Sequence, residues 1–213
     1  YASFHAAAVI EALGQVALGA WCSAAGQLHQ LFDFSVHRIG HHILGSTMDE
    51  PVLFQFLPAL KGRVPHVSLG DWPTPLEPMT LAGFPAAQVF VKREDASSRT
   101  YGGNKIRTLE VLLGHALLLG CRRVWSTGAY GSNHALATAI HAPRLGLEAG
   151  AMLFPQPAEP AAQRNLRALA STGATVVAMA SPLRLPWVMR RHRRQHPDDR
   201  VMPPGGASPR GAL

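Results

Sequence analysis

From Trp72 onward, apolar positions recur in two alternating rhythms. Short apolar runs bounded by glycine, proline or charge read as strands: "QVFVKRED" (Gln88–Asp95), "RRVWSTG" (Arg122–Gly128), "LEAGAMLF" (Leu147–Phe154) and "ATVVAMA" (Ala174–Ala180). Between them, helical spacing predicts a helix over Asn104–Leu119, closed by Gly120. A second starts at Ser132 or Asn133 in "SNHALATAIHAPRLG", a third is "PAAQRNLRALASTG", ended by Gly173, and a fourth is "LPWVMRRHRRQH". Strand and helix alternating with short connections predict an α/β fold, a parallel sheet with helices on both faces. Runs such as "TVVAMA" show no polar alternation, which predicts strands covered on both sides. "WPTPLEPM" (Trp72–Met79) holds three prolines and cannot be a helix interior.

Upstream the pattern differs. Residues 1–47 are rich in Ala, Gly and His, and Gly14, Gly19 and Gly26 weaken the one helical stretch there. His37, His41 and His42 share a helix face at most, and their spacing is not that of a zinc-binding HExxH helix. Met48 begins a segment of different composition, so residues 1–47 are expected to be a non-native or poorly ordered extension. The first residue is Tyr1, and the last residues, "PPGGASPRGAL", read as a loop leading into a helix. The expectation is an N-terminal fragment, inactive on its own.

Composition narrows the class. Apolar residues make up 47% of the 213 and charged residues 15%, a globular balance. No uninterrupted apolar run approaches the roughly 18 residues a spanning helix needs. Cys22 and Cys121 form no CxxC pair, which fits a reducing, cytoplasmic setting and argues against a disulfide framework. The net charge of +7 suggests nucleic acid, but six arginines lie in Arg184–Arg200, the pattern of a solvated helix face. No nucleic-acid-binding signature accompanies them, and no nucleic-acid partner is expected.

Charge also singles out one residue. The chain has 17 arginines but only three lysines, Lys61, Lys92 and Lys105. The last follows Gly102, Gly103 and Asn104, at the start of a predicted helix. Asn104 can cap that helix. Lys105 falls in the first turn, where the dipole disfavours a cation and so favours a neutral, nucleophilic amine. The second concentration of chemistry is "STGAYGSNHA" (Ser126–Ala135). Two glycines let the backbone turn tightly, and Ser132, Asn133 and His134 project at a helix start, a ready anion site. There is no GxGxxG, so a dinucleotide site is not indicated.

Together, "GGNKIRTLE" and "GAYGSNHALATA" resemble the pyridoxal-phosphate enzymes of the tryptophan synthase β-like fold. More narrowly, they resemble the 1-aminocyclopropane-1-carboxylate deaminase and D-cysteine desulfhydrase family. The similarity runs from about Leu53 through "PHVSLGDWPTPLEP" to "PPGGASPRGAL", some three-quarters of the chain. The resemblance implies pyridoxal 5'-phosphate as cofactor, held by Lys105 as a Schiff base, with Asn133 on its phenolic oxygen and Asn104 and Thr108 nearby. It implies Ser132, Asn133 and His134 on the substrate side, with Lys105 and Ser132 catalytic. The substrate implied is a small amino acid, split to a 2-oxo acid and ammonia, and the assembly a homodimer. Thr108 stands where the family often has a second lysine for the cofactor phosphate, so one charge is absent. Residues 48–103 are expected to belong to a large domain, 104–200 to a small α/β domain, and 201–213 to a return to the large one. A non-catalytic α/β ligand-binding module and a basic nucleic-acid-binding protein are the alternatives the residues leave open.

Overall fold

The computed structural model describes residues 51–79, 83 and 89–212, all within one compact unit, Met48–Leu213. The expectations for residues 1–47, including the histidines at 37, 41 and 42, lie outside the described residues.

Two short strands, β1 (Leu76–Pro78) and β2 (Phe90–Lys92), pair antiparallel, after a one-turn helix α1 (Val52–Phe56). The strand read in "QVFVKRED" is therefore real but does not join the main sheet. It pairs with the proline-rich "LEP" segment instead.

The main sheet is parallel, and its spatial order is β5-β4-β3-β6. Its strands are β3 (Arg123–Ala129), β4 (Glu148–Phe154), β5 (Thr175–Ala178) and β6 (Asp199–Val201). Its helices are α2 (Lys105–Leu118), α3 (Asn133–His141), α4 (Pro160–Ser171) and α5 (Leu185–Gln195). The chain steps from β3 outward to β4 and β5, then crosses back to lay β6 on the other side of β3. That reversal makes a switch point at the carboxyl ends of β3 and β6, where open α/β sheets leave a crevice.

Side chains alternate across β3 and β4. Val124, Ala149, Ala151 and Leu153 face one core with Ile106, Leu109 and Leu113 of α2, Leu136 of α3 and Leu169 of α4. Trp125 and Met152 face the opposite core with Val201, Met179 and Leu185, closed by Val188 and Met189 of α5. The arginines of α5 lie on its outer, exposed side.

Two expectations are corrected. β6, inside "PDDRVMPP", was not read as a strand. It is only three residues long and flanked by charge and proline, so it carries no periodic signal. β5 is not covered on both sides: all four of its residues are exposed, and among the described residues it pairs with β4 alone, at the sheet edge. Helix ends agree closely with the sequence. Gly120, at φ 66°, closes α2, with Cys121 N bonded to Ala116 O at 3.0 Å.

Candidate active site at the β3–β6 crevice

Three chain segments meet at the switch point. The first delivers Lys105. The loop before α2 folds back on itself: Gly103 N donates to Glu94 O at 2.8 Å and to the buried Ser97 hydroxyl at 2.9 Å. Gly103 has φ 123°, and a Cβ on Gly102 would lie 2.1 Å from Asp95 O. Both positions thus require glycine, which accounts for the Gly-Gly before the lysine. Asn104 occupies the N-cap position but makes no side-chain capping bond and is exposed. The first turn of α2 is held by the tight loop, not by the Asn104 side chain.

The second segment follows β3. Ser132 caps α3, its hydroxyl accepting from Ala135 N at 3.2 Å. Asn133 is exposed. His134 is not: it is turned inward, 1% exposed, so it does not project with its two neighbours. Neither ring nitrogen has a hydrogen-bond partner among the described residues. Burial, and then the Lys105 charge, lower its pKa to about 4, so the ring is neutral at pH 7.

The third segment, after β6, was not expected at the site. Met202 bonds to β3 on both sides: its N donates to Trp125 O at 2.8 Å, and its O accepts from the buried Thr127 hydroxyl at 2.9 Å. This anchor lays Pro203–Gly206 over the crevice. Lys105 Nζ donates to Gly205 O at 3.4 Å, its one hydrogen bond among the described residues. A Cβ on Gly206 would lie 2.5 Å from Thr108 Cγ2 and 3.2 Å from His134 Cε1. Lys105, Thr108 and His134 therefore converge on the Gly205–Gly206 turn.

Asn133 is held from a different side. Its Oδ1 accepts from Asn165 Nδ2 of α4 at 2.6 Å and from the Tyr101 hydroxyl at 3.3 Å. Gly131 lets α4 approach this closely, since a Cβ there would lie 2.6 Å from Ala162 Cα. Gly131→Ala should cost about 1–3 kcal/mol in thermal or denaturant unfolding, because the obstacle is a helix backbone that cannot rotate away. A variant as stable as the parent would show that α4 is free to shift.

Sequence reasoning missed Tyr101, Asn165 and the Gly205–Gly206 turn. Tyr101 lies in the motif that was read, but its partner is 32 residues away. Asn165 sits on the polar stripe of an amphipathic helix, where periodicity cannot separate it from a solvated side chain.

A family model described as pyridoxal-phosphate dependent enzyme matches residues 67–209. The chain belongs to the pyridoxal-phosphate-dependent enzymes. It is 38% identical over 155 residues to nocardicin C-9' epimerase of Nocardia uniformis subsp. tsuyamanensis, covering 70% of this chain and 47% of that protein. It is 40% identical over 92 residues to D-cysteine desulfhydrase of Salmonella paratyphi A, covering 43% of this chain and 28% of that one. A crystal structure described as an ACC deaminase homologue superposes with a TM-score of 0.61 at 32% identity, over 77% of this chain and 50% of its own. The chain thus spans about half the length, or less, of the relatives it matches.

The residues present fit this family's cofactor. A lysine amine with one weak bond and a buried imidazole with two nitrogens unpartnered among the described residues meet at a turn that only glycine can form. The Asn133 carboxamide, next to that imidazole in sequence, has one end without a partner among the described residues. No group of three or more His, Cys, Asp or Glu able to hold a metal occurs among the described residues. No helix among them is long and apolar enough to cross a membrane.

Proposed function

We propose that this chain carries the lysine-bearing part of an enzyme that uses pyridoxal phosphate to break bonds at the α-carbon of a small amino acid, in the manner of a deaminase or desulfhydrase. The observation that carries the reading is Lys105 at the switch-point crevice, its amine bonded, among the described residues, only to a backbone carbonyl at 3.4 Å. The bound cofactor supplies an aldehyde for an amine and a ring that takes up the electron pair of the broken bond.

The chain's residues do the rest. Lys105 offers the amine that attaches the cofactor and, once free, carries a proton as general base. Asn133 would donate its amide N–H to the phenolic oxygen. Ser132, whose oxygen is already an N-cap acceptor, keeps its hydroxyl proton to donate toward the substrate carboxylate or to move in the reaction. Asn104, Thr108 and the first-turn amides of α2 and α3 would hold the phosphate. His134 acts from beneath, as a neutral ring against the Gly205–Gly206 turn. Residues 48–103 and 201–213 would belong to a larger domain and 104–200 to a smaller one, and the enzyme would be a cytoplasmic homodimer.

The match to an epimerase over 70% of the chain favours a second reading, α-proton removal followed by return to the other face. It uses the same lysine. The test is direct: load the protein with pyridoxal phosphate, reduce with borohydride, digest and map the label. Label at Lys105 supports the reading, and label confined to Lys61 or Lys92 overturns it. Following 2-oxo acid release from D-cysteine and 1-aminocyclopropane-1-carboxylate, and optical inversion of D-cysteine, whose α-carbon alone of the two is chiral, then separates the two reactions.

A further inference from the structure

We propose that Asn165 is a positioning residue of the site: with Tyr101 it decides which end of the Asn133 carboxamide faces the cofactor. The proposal rests on the reading of Asn133 as the group on the cofactor's phenolic oxygen.

The hydrogen bonds fix the orientation by elimination. Asn165 Nδ2 lies 2.9 Å from Gly131 O. A backbone carbonyl only accepts, so the Asn165 atom facing it must be the NH₂ group. That same NH₂ lies 2.6 Å from one end of the Asn133 amide, and that end must therefore be the oxygen. The Tyr101 hydroxyl, 3.3 Å away, donates to the same oxygen. Burial raises the Tyr101 pKa above its ordinary 10, so its proton stays on as a donor.

With Oδ1 holding two donors, the opposite end of Asn133, its NH₂, makes no hydrogen bond among the described residues. It is left to donate outward. Asn133 is exposed, so water alone would satisfy either orientation of its amide. A phenolate oxygen would not: it needs a donor, and an amide oxygen there would repel it. Gln156 steadies the arrangement, its Oε1 accepting from Gly131 N at 3.3 Å, so the loop is gripped by its N–H and its carbonyl together.

Two substitutions at Asn165 separate orientation from mere support. Asn165→Ala and Asn165→Asp both lose the bond to Gly131 O. Only Asp, which accepts and cannot donate, also turns the Asn133 NH₂ toward itself and its oxygen toward the cofactor. The readout is the pH midpoint of the visible absorbance band of the cofactor-loaded protein. A donor on the ring oxygen competes with the proton shared between that oxygen and the lysine nitrogen, so losing the donor raises the midpoint.

Asn133→Ala is expected to raise it by about half a pH unit or more. Asn165→Asp should raise it at least as far, and Asn165→Ala less. In the Asn133→Ala background, Asn165→Asp should add nothing, because there is no amide left to turn. If Asn133→Ala shifts the midpoint and Asn165→Asp does not, the proposal fails while the reading of Asn133 stands. An equal Asp effect in both backgrounds also overturns it, showing that Asn165 only supports the loop. An unmoved midpoint in Asn133→Ala overturns the reading of Asn133 and the proposal with it.

Discussion

Glu110→Ala is expected to destabilise the fold by about 3–5 kcal/mol, the range for removing one partner of a buried, hydrogen-bonded charge. Glu110 lies on α2, five residues after Lys105, and is 4% exposed. Its Oε1 accepts from Trp72 Nε1 at 2.8 Å, Leu69 N at 3.0 Å and Gly70 N at 3.1 Å, and its Oε2 lies 3.3 Å from His66 Nε2. One carboxylate thus pins the segment "HVSLGDW" against the helix that carries the lysine. Alanine leaves several of these donors dry and unpaired. Glutamine keeps an oxygen for three of them and should cost clearly less. Denaturant unfolding of the three proteins checks the order. A loss under about 1 kcal/mol for alanine would mean that water replaces the carboxylate, against its burial.

The same group gives a pH dependence with a definite sign. Burial by itself raises the Glu110 pKa, but hydrogen bonds from His66, Leu69 N, Trp72 and Gly70 N outweigh it, and the net value lies below the ordinary 4.5. The folded state therefore holds the ionised form more tightly than the unfolded chain does. The stability this confers is complete above the unfolded value and disappears as pH falls through the lowered folded one. Glu110→Gln should flatten the acid limb of the melting-temperature profile. An unchanged acid limb would locate the acid-sensitive group elsewhere.

In the whole enzyme that carries this chain, Lys105→Ala is expected to lower turnover by ~10³-fold or more, since attachment and proton transfer are lost together. The visible absorbance band of the bound cofactor should vanish with it. Lys105→Arg should be equally inactive although it keeps the positive charge, because a guanidinium neither condenses with an aldehyde nor gives up its proton. This is why a lysine matters in a chain with 17 arginines and only two other lysines. Stability should change by less than about 1 kcal/mol, because the one bond lost is long and reaches a carbonyl on a turn. A Lys105→Ala protein that retained a tenth of its turnover would remove the residue from the chemistry.

Much of this was legible in the sequence, for identifiable reasons. α2, α3, β3 and β4 are long enough for their periodicity to show, and Gly120 and Ser132 mark helix ends by their own conformational preferences. Lys105 and Asn133 stood out because glycines surround them. What stayed hidden depends on pairing across distance. β6 is a strand only because Arg123, Val124 and Trp125 lie beside it. β5 lies exposed at the sheet edge, paired among the described residues with β4 alone, a fact no local pattern contains. His134 reads like its polar neighbours, yet the turn of α3 points it into the core, one residue from the exposed Asn133. The roles of Asn165 and Gly206 emerge only where α4 and the turn after β6 come to rest.

Lys105 and the carbonyl that receives it are separated by 100 residues, and the turn bearing that carbonyl is anchored through β6. During synthesis the lysine thus leaves the ribosome long before its crevice exists. Until β6 has crossed back beside β3, a nascent chain would present a solvated amine with no Gly205–Gly206 turn above it. Long-range pairing of this kind forms late in folding. Stable capture of an aldehyde by this lysine would therefore report that the sheet has closed, and aldehydes met earlier would bind and leave as they do on any surface amine.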